Sequence, residues 1–181
     1  MSIFKMKNIG VSVFALAAVF SFAGSVLGQG GELRRPELPA GCEELEAAEY
    51  ERVAFKAYAE GFQVYAWNGA AWTLVGPDAT LYADSNYRGK IGTHYGGPTW
   101  ESNSGSYVKG TTPKRCTPDP DSIQWLLLEV SETGGEGIFS GVSHIQRVNT
   151  SGGKAPASPG TFVGEEVRIP YTTEYYFYKL Q

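Results

Sequence analysis

A single all-β domain is the fold class this chain predicts, and three observations carry it. Apolar residues recur at every second position through most of the chain after residue 52, the period of a strand covered on one face. Clusters of glycine, proline, asparagine and aspartate interrupt these runs about every 8–12 residues, the spacing of sandwiches and barrels. Helical periodicity is nearly absent, with only Glu43 to Arg52 reading as a short helical turn. About ten short strands follow, closed as either a barrel or a sandwich.

Val53, Phe55, Ala57 and Ala59 alternate with Ala54, Lys56 and Tyr58, and Phe62, Val64 and Ala66 alternate with Gln63, Tyr65 and Trp67. The Glu60-Gly61 pair between them reads as a hairpin or a bulged bend. Asn68-Gly69 is a stronger hairpin signal, because both residues tolerate positive φ. Trp72 to Val75 is the next strand, Gly76-Pro77-Asp78 a turn, and Thr80 to Ala83 another strand. Asp84 to Gly89 is a loop, and Ser106 to Lys109 a short strand within the glycine-rich middle. Pro113 to Pro120 reads as a loop carrying Cys116.

Ile123 to Val130 is apolar on both alternating faces: Ile123, Trp125 and Leu127 on one, Leu126, Leu128 and Val130 on the other. Such a strand is covered on both sides. Gly134 to Gly137 turns the chain into a long strand over Ile138 to Asn149, residues 151–164 form a loop, and Thr172 to Leu180 is an aromatic final strand.

The first 28 residues read as a secretory signal peptide: Lys5 and Lys7, an apolar run from Ile9 to Phe22, then small residues to Gly28. Residues 29–50 form a polar leader and 51–181 the all-β domain. Removing residues 1–28 of the 181 leaves 153, enough for one domain with a core. The removed segment holds two lysines and no acid, so 13 basic residues face 19 acidic ones, a net charge of −6. That balance disfavours nucleic acid, and no further apolar run reaches the roughly 18 residues of a membrane span. The expected location is secreted or periplasmic. Leu38-Pro39-Ala40-Gly41-Cys42 has the look of a lipoprotein box but lies beyond Glu32, Arg34, Arg35 and Glu37, too far from the apolar run. Cys42 and Cys116 either pair, as an oxidising compartment permits, or remain free thiols.

Two segments hold the candidate chemistry. In His94-Tyr95-Gly96-Gly97-Pro98-Thr99-Trp100-Glu101 the turn residues fold the segment back, bringing His94 towards Glu101. A carboxylate beside an imidazole can orient it for acid–base work; the blander alternative is a packed turn with a hydrogen-bonded histidine. Through Ser143 to Thr150 and the preceding Val142, strand alternation places Val142, His144, Gln146 and Val148 on one face and Ile145, Arg147 and Asn149 on the other. Arg147 suits a two-pronged hold on a carboxylate, either a ligand's or, as the commoner use, that of Glu101, Glu129 or Asp78. The separation of His94 from His144 argues against a metal site. No nucleophile elbow, phosphate loop or dinucleotide fingerprint occurs, so no cofactor is expected.

Ala59-Glu60-Gly61-Phe62-Gln63-Val64-Tyr65, Pro77 to Leu81, Gly92 to Glu101, Trp125 to Leu128, Ile145 to Thr150 with Gly152 to Pro156, and Tyr171 to Tyr178 stand in one order. This pattern, from about Val53 to Tyr178, resembles the small secreted family known as domain of unknown function 3455. The resemblance implies an exported protein without an established activity. Some fungal relatives carry a malate dehydrogenase label, which the residues here do not support, since alternating β/α units and a glycine-rich phosphate turn are missing. Where the family often has a cysteine after the Gln-x-Tyr strand, this chain has Trp67, so that family disulfide does not carry over.

Three functions fit the sequence. The first is a non-enzymatic binder of a small molecule, glycan or protein partner, with a site near His94, Tyr95, Trp100, Glu101, Arg147 and Asn149. The second is an extracellular hydrolase or lyase with His94 and Glu101 as acid and base and Arg147 as anion holder. The third is a structural envelope protein without a pocket.

Overall fold

Strands dominate because β-branched and aromatic residues at alternate positions suit a pleated, half-buried surface. A computed structural model of the protein describes Met1 and residues 34–181. The signal peptide read over residues 1–28 and the first leader residues lie outside the described residues, Met1 excepted. Eight strands follow a short 3₁₀ turn, Glu43–Leu45: β1 Glu51–Trp67, β2 Trp72–Tyr82, β3 Lys90–Tyr95, β4 Thr99–Ser102, β5 Tyr107–Cys116, β6 Trp125–Gly134, β7 Val142–Gly152 and β8 Glu166–Leu180. Each strand pairs antiparallel with the next, and β8 returns to β1 to close a barrel. Closure leaves no free sheet edge, which decides between the barrel and the sandwich.

The strands are fewer and longer than their turn signals suggest, because two of those signals lie inside strands. Glu60-Gly61 sits within β1, where Gly61 pairs with Ala79 and Tyr171. A Cβ on Gly61 would stand 2.3 Å from the Asp78 carbonyl oxygen, so this glycine admits the neighbouring strand rather than turning the chain. Gly76-Pro77-Asp78 likewise lies within β2, opposite Phe62, Gln63 and Val64. Asn68-Gly69 does turn the chain: Asn68 Oδ1 accepts from the amides of Ala70 and Ala71, and Gly69 has φ of 96°. The stretch expected as a loop around Pro113 carries β5 onward to Cys116, with a register break between Thr111 and Lys114. Ile138 to Gly141 forms a turn, so β7 begins only at Val142.

Two apolar clusters lie on opposite sides of the wall. The inner one includes Ala57, Ala59, Leu81, Trp100, Leu128, Ile145, Tyr175 and Phe177. Small Ala57 and Ala59 on β1 leave room for the large rings, a common way to fill a narrow barrel. Phe139, from the β6–β7 turn, tucks against Phe177 and Phe55 at centroid distances of 5.0 and 5.5 Å. The outer cluster joins Leu127, Val148, Tyr176 and Tyr178 to Cys42, Leu45 and Ala47 of the segment before β1. This segment is the cover required by the two-faced apolar strand: Leu126 and Leu128 pack inward, Leu127 and Trp125 outward.

Several bonds hold the cover. Cys42 and Cys116 form a disulfide with a Cα–Cα distance of 5.4 Å. Gln146 Nε2 donates to the Leu45 carbonyl at 2.7 Å, and Arg35 donates to the carbonyls of Ala47, Ala48 and Glu51. The wholly buried Glu51 side chain accepts from Ser143 Oγ at 2.5 Å and meets His144 Nδ1 at 2.6 Å through the same oxygen.

Candidate functional site

Register places the site. Across β2 to β5, Ala79, His94, Trp100 and Val108 stand side by side. Across β6, β7, β8 and β1 the row is Leu126, Arg147, Tyr175 and Ala57. Directly paired residues project to the same face of a sheet, and in a narrow barrel the two rows meet. His94 stacks on Trp100 with centroids 4.1 Å apart, and the edge of Tyr175 stands 5.3 Å from His94 and 5.4 Å from Trp100.

Beside these rings the interior opens into a cavity of about 520 Å³, lined in part by Gln63, His94, Trp100, Leu126, Arg147 and Tyr175. Its size falls within the range of small-molecule sites. A second depression of about 610 Å³ lies over Gly61, Asp78 and Arg168. It is the poorer candidate, because Asp78 and Arg168 already pair with each other at 2.6 Å.

His94 is 2 % exposed, and burial pushes its pKa down to about 3. Its Nδ1 lies 2.8 Å from the Thr99 carbonyl oxygen. A carbonyl only accepts, so Nδ1 carries the proton and donates, leaving Nε2 as an acceptor. Arg147 donates through Nε and Nη2 to the Gln124 carbonyl at 3.1 and 2.8 Å. Among the described residues no carboxylate lies within 4.0 Å of Arg147, and none lines the cavity. The internal ion pair expected for this arginine is therefore not formed: Asp78 pairs with Arg168, Glu101 accepts from Tyr95, and Glu129 is exposed.

Around Arg147 lie buried polar atoms that form no well-aligned hydrogen bond among the described residues: Gln63 Nε2, Trp100 Nε1, Tyr175 OH and Tyr171 OH. They neighbour one another, Tyr175 OH facing Tyr171, Arg147 and Trp100, and Tyr171 OH facing Gln63. The amide and indole nitrogens only donate. Burial raises the hydroxyl pKa of both tyrosines, while the charge of Arg147 acts to lower it. They stay protonated at neutral pH and can donate as well. The cavity floor is thus rich in donors and carries a fixed positive charge.

The structure divides the residues singled out in the sequence. His94, Trp100 and Arg147 converge in the cavity. Tyr95 and Glu101 are on the opposite side of the β3–β4 hairpin, where Tyr95 donates to Glu101 at 2.6 Å. His94 therefore does not meet Glu101: it pairs with Trp100, and Glu101 pairs with Thr93 one position away. Asn149 has φ of 51° at an irregularity between Val148 and Ser151, and its side chain bonds Glu174 at 2.9 Å on the outer wall. Lys56 also holds Glu174 there, at 2.8 Å. His144 lies on the outer wall too, beside Glu51. Ser143 gives its hydroxyl to Glu51 rather than to the imidazole, so the cluster is not a nucleophile–base pair.

Gln63 and Tyr175 complete the cavity lining, with the Tyr171 hydroxyl beside them, and none of the three is singled out as a site residue by sequence reasoning. The signal available was weak: a glutamine in an apolar alternation, and tyrosines at two-residue spacing in a strand with aromatics on both faces.

The fold and site together define an antiparallel eight-stranded barrel with a cationic, donor-rich interior cavity. Residues 47–179 match the family described as "Protein of unknown function (DUF3455)", and the chain belongs to that family. No curated protein and no solved structure matches it.

Proposed function

We propose that the protein is an exported, non-enzymatic binder of a small molecule, which it holds in the barrel cavity. The observation that carries this reading is Arg147: a charged side chain inside a barrel, beside buried donors that lack well-aligned acceptors, with no acid of its own. Such groups cost stability when buried, and a ligand that supplies acceptors offsets that cost. The separation of His94 from Glu101 weighs against acid–base catalysis by this pair. Export is supported by the signal-like first 28 residues and by the Cys42–Cys116 bond, which oxidising compartments sustain. Among the described residues no helix is long and apolar enough to cross a membrane.

Thermal-shift screening of the mature chain, starting near Gln29, tests the binding reading. A specific ligand raises the melting temperature by mass action, and the rise disappears in a variant with the cavity filled, such as Leu126→Trp. Rises that persist unchanged in that variant refute the cavity as the site. N-terminal mass analysis of the exported protein tests the processing near Gly28.

A further inference from the structure

The cavity's chemistry narrows the class of ligand. Arg115 and Arg147 are its only Asp, Glu, Lys or Arg residues, and neither pairs with a carboxylate among the described residues. His94 adds no charge, since burial keeps it neutral. The net charge of the whole chain is −4, so a cavity without acids runs against the overall composition. Arg147 is half-buried in the wall, and two of its nitrogens share the Gln124 carbonyl. That bond fixes the guanidinium without neutralising it.

Beside the polar Gln63, Thr111, Gln124 and Tyr175, much of the remaining lining is apolar. Leu126 and Leu128 form part of the wall, which Pro77 and Pro98 also line. Leu74 and Val75, also lining residues, are 52 % and 57 % exposed. Two exposed aliphatic side chains at the rim of a cationic cavity give it two chemically distinct ends.

We infer that the cavity takes an amphiphilic monoanion: a carboxylate or sulfonate head against Arg147, and an apolar body along Leu126 and Leu128 that emerges past Leu74 and Val75. The inference rests on the reading of the cavity as a ligand site. One guanidinium matches one acidic head by charge and by its forked donors. Gln63 and Tyr175 stand beside that head as further donors. The prolines and aliphatic residues provide burial for a body without hydrogen-bonding groups. Arg115, exposed near the entrance, favours the approach of anions.

Two fluorescent probes with the same aromatic body test this. 8-Anilinonaphthalene-1-sulfonate carries the anion and N-phenyl-1-naphthylamine does not. The mature, disulfide-bonded protein is expected to bind the sulfonate at least about tenfold more tightly, the scale of a charged hydrogen-bonded contact. Arg147→Gln should bring the affinities for the two probes to within about twofold of each other, and Leu126→Trp should weaken both probes. Circular dichroism and the melting temperature establish that each variant is folded. Should Arg147→Gln not fold, chloride and acetate competition against the sulfonate in the wild type gives the same readout. Equal binding of the two probes, both lost in Leu126→Trp, overturns the anion while sparing the cavity. Sulfonate binding that persists in Leu126→Trp, or no binding of either probe, overturns the cavity reading and the inference together.

Discussion

Arg147 and Tyr175 face each other directly across β7 and β8, both pointing into the barrel, and the buried Tyr175 hydroxyl, though close to Arg147, Tyr171 and Trp100, forms no well-aligned hydrogen bond with any of them. A wholly buried hydroxyl costs about 1–3 kcal/mol when unsatisfied. Its position beside an arginine without an acid makes the pair the centre of the proposed site.

Tyr175→Phe should therefore change stability by no more than about 1 kcal/mol, because the ring stays and only a poorly aligned polar group leaves. Urea denaturation measures it. A loss well beyond 1 kcal/mol would mean that the hydroxyl has a structural partner within the fold.

His94 gives the barrel a dependence on pH. Its pKa falls from 6.5 to about 3 in the folded chain. Between these values the unfolded chain binds a proton that the folded chain refuses, so the stability contributed by neutral His94 is complete above about pH 6.5. It declines by roughly 1.4 kcal/mol per pH unit as pH falls towards the folded pKa. The interval from pH 6 to pH 5 separates it from most carboxylate titrations. Urea midpoints there should drop for the wild type and stay flatter for His94→Phe. Equal slopes in the two proteins would show that His94 is protonated in the fold.

The Cys42–Cys116 bond closes a loop with a sequence separation of 74 and ties the covering segment to β5. In the chain-entropy account such a closure contributes about 4 kcal/mol. The double variant Cys42→Ser/Cys116→Ser should lose a large part of that. It should also expose Tyr176 and Tyr178, seen as faster proteolysis before Glu51. Thiol titration of the wild type under denaturing, non-reducing conditions should find no free thiol.

Glu101 serves as a control for the division of the site. It lies outside the barrel and accepts from Tyr95. Glu101→Gln should leave binding of the naphthalene sulfonate within about twofold of the wild type, a free-energy change of roughly 0.4 kcal/mol. A tenfold change would place its carboxylate in contact with the cavity.

The Ser143 to Thr150 segment shows how far sequence reading reaches. Alternation correctly sets Ile145 and Arg147 together and Gln146 and Val148 opposite them, but a register break between Val142 and His144 turns Val142 inward beside Ile145 instead. Alternation also groups Asn149 with Arg147, but the irregularity after Val148 turns Asn149 to the outer wall beside Glu174. A bulge adds one residue to one strand and reverses the facing beyond it, leaving little trace in composition. The β3–β4 hairpin offers the same lesson. The segment folds back as its glycines and proline indicate, but pairing His94 with Trp100 sends Glu101 to the other side.

What the sequence determined by itself is the local pattern: an all-β body, the Asn68-Gly69 turn, and one strand apolar on both faces that therefore had to be covered twice. Tertiary structure decided which histidine lies inside, that Arg147 is left without an acid, and that Gln63, Tyr171 and Tyr175 gather around it. The physical reason is that a strand's side chains change face at every residue. A single step in register or one bulge thus decides whether a polar group enters the barrel or meets solvent, and that step is set by partners far away in the chain.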